Sequence, residues 1–219
     1  MVKRVGVFGG SFDPPHLGHK ALVEAALAEY PLDDVWVIPV GTPVHRELTP
    51  YISAIQRLSW VESMFADMPQ VRVLDWEIKK EACPAIETIR DISNQLNTLP
   101  YWLLGMDAWR GLPKWIAYPE HQSLCNMIVF SRQGEGMVKH HTWTEKKDFE
   151  HSPNAQMGLV YHAKTELPDI SATQIRQDIL TGKDVSTVLD ARIADEIRAA
   201  YAMGDYNRHD INSSHGESK

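Results

Sequence analysis

Gly9-Gly10-Ser11-Phe12-Asp13-Pro14-Pro15-His16-Leu17-Gly18-His19 follows the apolar run 3–9 (KRVGVFG) and leads into an amphipathic run over 17–29. Apolar residues, then paired glycines, then helical periodicity predict a strand, a turn and a helix. In an open α/β sheet, ligands bind beyond the carboxyl ends of strands, where this turn would lie. Adjacent glycines let backbone N–H groups approach an anion, and the following helix start adds unpaired donors and partial positive charge. His16 and His19 stand at i and i+3, so a helix beginning near Pro15 puts both imidazoles on one face of its first turn. There they can donate hydrogen bonds to phosphate oxygens and steady charge during phosphoryl transfer. A solvated pair, or a histidine acting only as a cap, is the alternative; convergence of glycines, strand and helix start on one point favours the phosphate site.

The same alternation continues outward from this unit. Strands are expected at 35–40, 71–78, 101–105, 127–131 and 157–163, and helices at 53–66, 171–181 and 186–202. In 17–29 the apolar face is Leu17, Ala21, Leu22, Ala25 and Ala26; in 53–66 it is Ile55, Leu58, Val61, Met64 and Phe65. Val188, Ile193, Ile197 and Ala200 make the face of the last helix. Near-continuous apolar strands separated by helices predict an α/β, Rossmann-like, doubly wound fold. Its sheet is mostly parallel, with helices on both faces, in a single domain over residues 1–203. The polar stretch 132–156 is expected as a surface excursion, and 204–219 as a frayed tail with no apolar periodicity.

Composition narrows the function. The net charge of −7 argues against general affinity for nucleic acid or anionic membranes, so a small anionic ligand needs a locally positive pocket. Cys83 and Cys125 have no CxxC spacing, which argues against a structural zinc or a disulfide framework and for a reducing compartment. The N-terminus lacks a signal-like apolar run, and no stretch reaches the roughly 18 apolar residues of a membrane span. A cytoplasmic protein is expected, monomer or homodimer. Gly6, Gly9 and Gly10 do not make GxGxxG, the second strand ends without an acidic residue, and no GxxxxGK[ST] occurs. Dinucleotide-dependent hydride transfer and P-loop chemistry fit poorly.

Two motifs carry a resemblance. GGSFDPPHLGH is similar to the GxFDPxHxGH signature of the HxGH nucleotidyltransferases, and Ile170-Ser171-Ala172-Thr173-Gln174-Ile175-Arg176 to their IS[SA]TxIR. Within that superfamily the chain most resembles the bacterial nicotinate-nucleotide adenylyltransferases. Supporting stretches are Thr42-Pro43-Val44-His45-Arg46, Gly105-Met106-Asp107, Leu112-Pro113-Lys114-Trp115 and Ser131-Arg132-Gln133-Gly134. The resemblance implies transfer of AMP from ATP to nicotinate mononucleotide, giving deamido-NAD and pyrophosphate, with Mg2+ carried by ATP and pyrophosphate. It further implies catalytic roles for His16, His19 and Arg176, and ATP binding by these with Gly9, Gly10, Ser11, Phe12, Gly105, Asp107, Ile170, Ser171 and Thr173. His45, Arg46, Ala85, Trp115 and Arg132 are implied on the acceptor side. Ser171 also reads independently as a helix N-cap, and Trp115 is equally a plausible core residue.

The chain departs from the family where a Ser/Tyr/Thr cluster usually precedes the third helix. Residues 82–88 read ACPAIET, and Pro84 removes a backbone donor. The same transfer to nicotinamide mononucleotide or another phosphomonoester, or a non-catalytic nucleotide-binding module, therefore stays open at the level of sequence. LPKW speaks against phosphopantetheine, which has no ring to stack.

Overall fold

In the computed structural model, which describes residues 3–41, 52–80, 83–147, 149 and 157–203, the run VGVFGG forms β1 (Val5–Gly10) and its turn feeds α1 (Leu17–Glu29). Next come β2 (Asp34–Pro39), α2 (Ala54–Phe65), β3 (Val71–Val73), α3 (Ala85–Leu96), β4 (Tyr101–Gly105) and α4 (Met106–Gly111). β5 (Asn126–Phe130), β6 (Thr144–Lys146), β7 (Leu159–His162), α5 (Ala172–Leu180) and α6 (Ala194–Met203) complete the order. One seven-stranded sheet runs β3-β2-β1-β4-β5-β7-β6, and every pairing in it is parallel. Strand order reverses between β1 and β4. That junction opens a crevice at their carboxyl ends, beside Gly9, Gly10 and Gly105.

β1, β2, β4, β5 and β7 each feed both faces of the sheet, as a pleat with alternating side chains requires. Val35 and Val37, Tyr101 and Leu103, Ile128 and Phe130, and Leu159 and Tyr161 join the core under α1 and α2. Their sequence neighbours Trp36, Ile38, Trp102, Leu104, Met127, Val129 and Val160 join a second core with Ile89, Ile92 and Trp109 of α3 and α4. Two buried layers explain why the strands read as continuous apolar runs. No helix among the described residues is long and apolar enough to cross a membrane.

Four expectations need correcting. The strand expected at 71–78 ends at Val73, because the chain turns to bury Glu77, which accepts a 2.5 Å hydrogen bond from Thr88 of α3. The Glu77 carbonyl then lies so close to Gly41 that a Cβ there would sit 2.3 Å away. The helix expected at 186–202 begins only at Ala194, since the Asp190 carboxylate accepts from the Arg192 amide (3.0 Å) and guanidinium (2.8 Å), holding a turn ahead of it. The excursion 132–156 contributes the edge strand β6 and the buried Trp143; TEK is too short and charged to show alternation. In α2 the buried face is Arg57, Trp60, Val61, Met64 and Phe65, with Ile55 exposed. The expected tail, 204–219, lies outside the described residues.

The last helix returns to the first turn. Leu17 N–H donates to the Val188 carbonyl at 2.9 Å, Trp60 Nε1–H to Glu196 at 3.0 Å, and the Tyr201 hydroxyl to Asp13 Oδ1 at 2.6 Å. Asp13 is 2% exposed, so a donor lost there is not readily replaced by water. Tyr201→Phe should lower unfolding free energy by about 1–3 kcal/mol in chemical denaturation. Unchanged stability would mean that the Tyr201–Asp13 bond adds nothing to the hold on α6.

Candidate active site

A cleft of about 400 Å³ opens at the junction of β1 and β4. Gly9, Gly10, Ser11, His16 and His19 line it from the first turn, Gly105 and Asp107 from the end of β4, and Ile170, Ser171, Thr173 and Arg176 from the start of α5. Residues far apart in sequence are thus brought together as the two motifs imply. Phe12, implied with them, is not among the residues that line the cleft: its ring is buried under Gly10, 5.4 Å from the Phe8 ring and 4.8 Å from that of His19. Phe12 sits at φ 47°, a left-handed conformation costly for a side-chain-bearing residue and held here by its surroundings.

His16 is the N-cap residue of α1, and its backbone N–H donates to His19 Nδ1 at 3.1 Å. A neutral imidazole accepting at Nδ1 carries its proton on Nε2, so His19 keeps a donor for a ligand. The two rings stack with centroids 3.7 Å apart and planes 24° from parallel. Gly18 makes this possible: a Cβ there would lie 3.0 Å from His16 Nδ1 and press on the ring.

Arg176 donates from Nη1 to the Asp13 carbonyl at 2.5 Å and from Nη2 to the Thr173 hydroxyl at 3.2 Å, linking α5 to the first turn. Ser171 occupies the N-cap position of α5, but its hydroxyl makes no cap bond. Arg132, expected with the acceptor, lines this same cleft. It pairs with Asp169 at 3.1 Å and Asp107 at 3.9 Å, and Asp107 also meets Arg110 at 3.0 Å. Both carboxylates are well exposed, so these pairs are weak and easily exchanged for a ligand.

Ala85 and Trp115 lie apart from this cleft lining, together at the margin of the core beneath α3 and α4. Trp115 is half-buried and meets the His121 ring edge-on at 5.8 Å. Of the amides opening α3, Glu87 N–H is already committed to the Pro84 carbonyl at 2.9 Å, and its side chain is exposed. His45 and Arg46 lie outside the described residues. Sequence reasoning missed Arg57 and Tyr201, which grip the first turn from behind.

Burial pushes the His16 imidazole down to about 4, with the Arg132 charge adding to the effect. His19 is lowered well below the usual histidine range by burial, by His16 and by Arg132. At neutral pH the free protein therefore presents two neutral donors. Because the folded-state value of His16 lies below the unfolded one, its contribution is complete above about pH 6.5 and is lost as pH falls toward about 4. At about 1.4 kcal/mol per pH unit, this removes up to roughly 3 kcal/mol of stability. His16→Gln should flatten that part of the pH–stability curve; an unchanged slope between pH 6.5 and 4 would place the imidazole in water.

This geometry has counterparts elsewhere. Residues 7–178 match the model of the cytidylyltransferase-like family. A protein of Shouchella clausii, named "probable nicotinate-nucleotide adenylyltransferase", is 30% identical over 211 residues, covering 94% of this chain and 100% of the relative. A Shewanella frigidimarina protein of the same name is 29% identical, covering 89% and 97%. Among solved structures, Plasmodium falciparum nicotinic acid mononucleotide adenylyltransferase complexed with NaAD superposes with a TM-score of 0.67 at 17% identity, covering 96% of this chain and 98% of that one; it shares the fold. The family match over residues 7–178, both signature motifs on one cleft and relatives that align along nearly their whole length make this chain a member of the cytidylyltransferase-like family, in its nicotinate-nucleotide adenylyltransferase group.

Proposed function

We propose that this enzyme transfers AMP from MgATP to nicotinate mononucleotide, giving deamido-NAD and pyrophosphate. The observation that carries this reading is the convergence of His16, His19 and Arg176 on one cleft with the Gly9–Gly10–Ser11 turn and the start of α5. A phosphate oxygen of the acceptor attacks the α-phosphorus of ATP. The bond from that phosphorus to the bridging oxygen of the β-phosphate breaks, and pyrophosphate leaves. The attacking phosphomonoester is already ionised at neutral pH, so no general base is required. The residues supply position and charge: imidazole N–H donors, one guanidinium and backbone amides facing oxygens whose charge grows in the transition state. Mg2+ enters on the triphosphate.

The acceptor follows from what α3 offers. The Thr88 hydroxyl is turned inward onto Glu77, and Glu87 N–H is committed, leaving the Ala85 and Ile86 amides at the helix start. Donors at a helix N-terminus suit a carboxylate, with about 0.3–1 kcal/mol from the dipole alone. The carboxamide of nicotinamide needs an acceptor as well.

His16→Ala or His19→Ala should slow pyrophosphate release by at least ~10²-fold, the loss expected for one preorganised donor. Near-full activity in both would remove them from the chemistry. With wild-type enzyme, kcat/KM for nicotinate mononucleotide should exceed that for nicotinamide mononucleotide by about tenfold or more. Equal use, or preference for the amide, would sink the acceptor assignment and spare the adenylyl transfer.

A further inference from the structure

Arg57 is fully buried on the apolar face of α2, yet its guanidinium meets three backbone carbonyls. Nη1 donates to Ser11, Nη2 to Gly41 at 2.9 Å, and Nε to Ile52 at 3.2 Å. These carbonyls belong to the turn after β1, the chain leaving β2 and the chain entering α2. The planar fork of a guanidinium can serve several carbonyls at once, which the point charge of a lysine cannot.

The Ser11 contact reaches the chemistry. The Ser11 carbonyl and the Phe12 N–H belong to one peptide unit, and that unit is trans, since the cis bonds are Asp13–Pro14 and Tyr118–Pro119. In a trans unit the two groups point in opposite directions. Holding the Ser11 carbonyl back toward α2 turns the Phe12 N–H away from α2. Ser11, the preceding residue, lines the cleft with Gly9 and Gly10, and Phe12 is held at φ 47° with its ring locked in the core.

We propose that Arg57 is a positioning residue for the phosphate site, fixing the Ser11–Phe12 peptide, and with it the lining residue Ser11, for a bound triphosphate by gripping the Ser11 carbonyl. The inference rests on the proposed function only in taking a triphosphate as the ligand. Arg57 touches no reacting atom; it acts through one peptide plane, and a small rotation of that plane shifts Ser11 at the cleft wall.

Five phenylalanines make the test tractable by NMR of protein labelled with 15N-phenylalanine. Magnesium and inorganic tripolyphosphate added to the wild type should move the Phe12 amide proton downfield. Arg57→Lys, at saturating tripolyphosphate, should lose most of that shift. Its kcat for adenylyl transfer, per folded molecule by circular dichroism, should fall at least about tenfold. A Phe12 shift of equal size in both proteins, or an unchanged kcat per folded molecule, would reduce Arg57 to a loop staple and overturn the proposal. The wild-type arm decides even if the lysine variant does not fold: a Phe12 amide that ignores tripolyphosphate overturns it. A responsive Phe12 amide in an enzyme that transfers no AMP to nicotinate mononucleotide would instead remove the functional reading and leave the role of Arg57 standing.

Discussion

Asp13 is held from both ends of its own residue: Tyr201 of α6 donates to its carboxylate, and Arg176 of α5 to its carbonyl. Two residues earlier, Arg57 of α2 takes the Ser11 carbonyl. Between them stands Phe12 in a left-handed conformation, with its ring anchored in the core. Three helices distant in sequence thus converge on Ser11 and Asp13, the two residues that flank Phe12 in one turn. A turn bound this way has little freedom left, and preorganisation of this kind lets backbone donors act on phosphate without reordering as charge moves. The strain at Phe12 is offset by the contacts around it.

The same constraint shapes the histidines. His16 follows the pinned turn and begins α1, and its backbone N–H fixes His19 by hydrogen bonding Nδ1. Stacking the rings at 3.7 Å is tolerable only if they are not both cations. Burial and Arg132 both push them toward the neutral form. An anion bound in the cleft would work the other way, because negative charge beside the rings favours protonation. The overall acidity of the chain is then no obstacle, because the cleft gathers Arg132 and Arg176 beside the histidines.

Much of this was legible in the sequence. The strand–turn–helix of the first motif, the strands at β2, β4, β5 and β7, and the helix N-terminus of α5 follow from periodicity that a doubly covered parallel sheet enforces. What was hidden had physical reasons. Asp190 bonding the Arg192 beside it delays α6 by local competition with the helix, which apolar spacing cannot reveal. β6 is three polar residues, two of them charged, on a sheet edge, where one neighbour suffices to form a strand. Nothing in the sequence singles out Arg57, because its partners are backbone carbonyls and these leave no mark in sequence. Strand order carries Arg132, expected beside the acceptor, to the cleft wall at the end of β5.

The departure at residues 82–88 shows how a site can change its hydroxyls and keep its electrostatic sign. Thr88 does bring a hydroxyl to the first turn of α3, but it donates to Glu77, a carboxyl whose pKa burial has raised. That bond stabilises the turn beneath Gly41, where the Glu77 carbonyl leaves no room for a Cβ. From Gly41 the contacts pass to Arg57, and from Arg57 to Ser11 in the turn after β1. The hydroxyl turned inward therefore belongs to the scaffold that braces the cleft. What α3 can present outward is its backbone, and a helix N-terminus presents donors and positive potential whatever its side chains are. Recognition of an anionic ring substituent can thus survive side-chain changes that would abolish recognition of a carboxamide, whose NH2 needs an acceptor placed beside the donors.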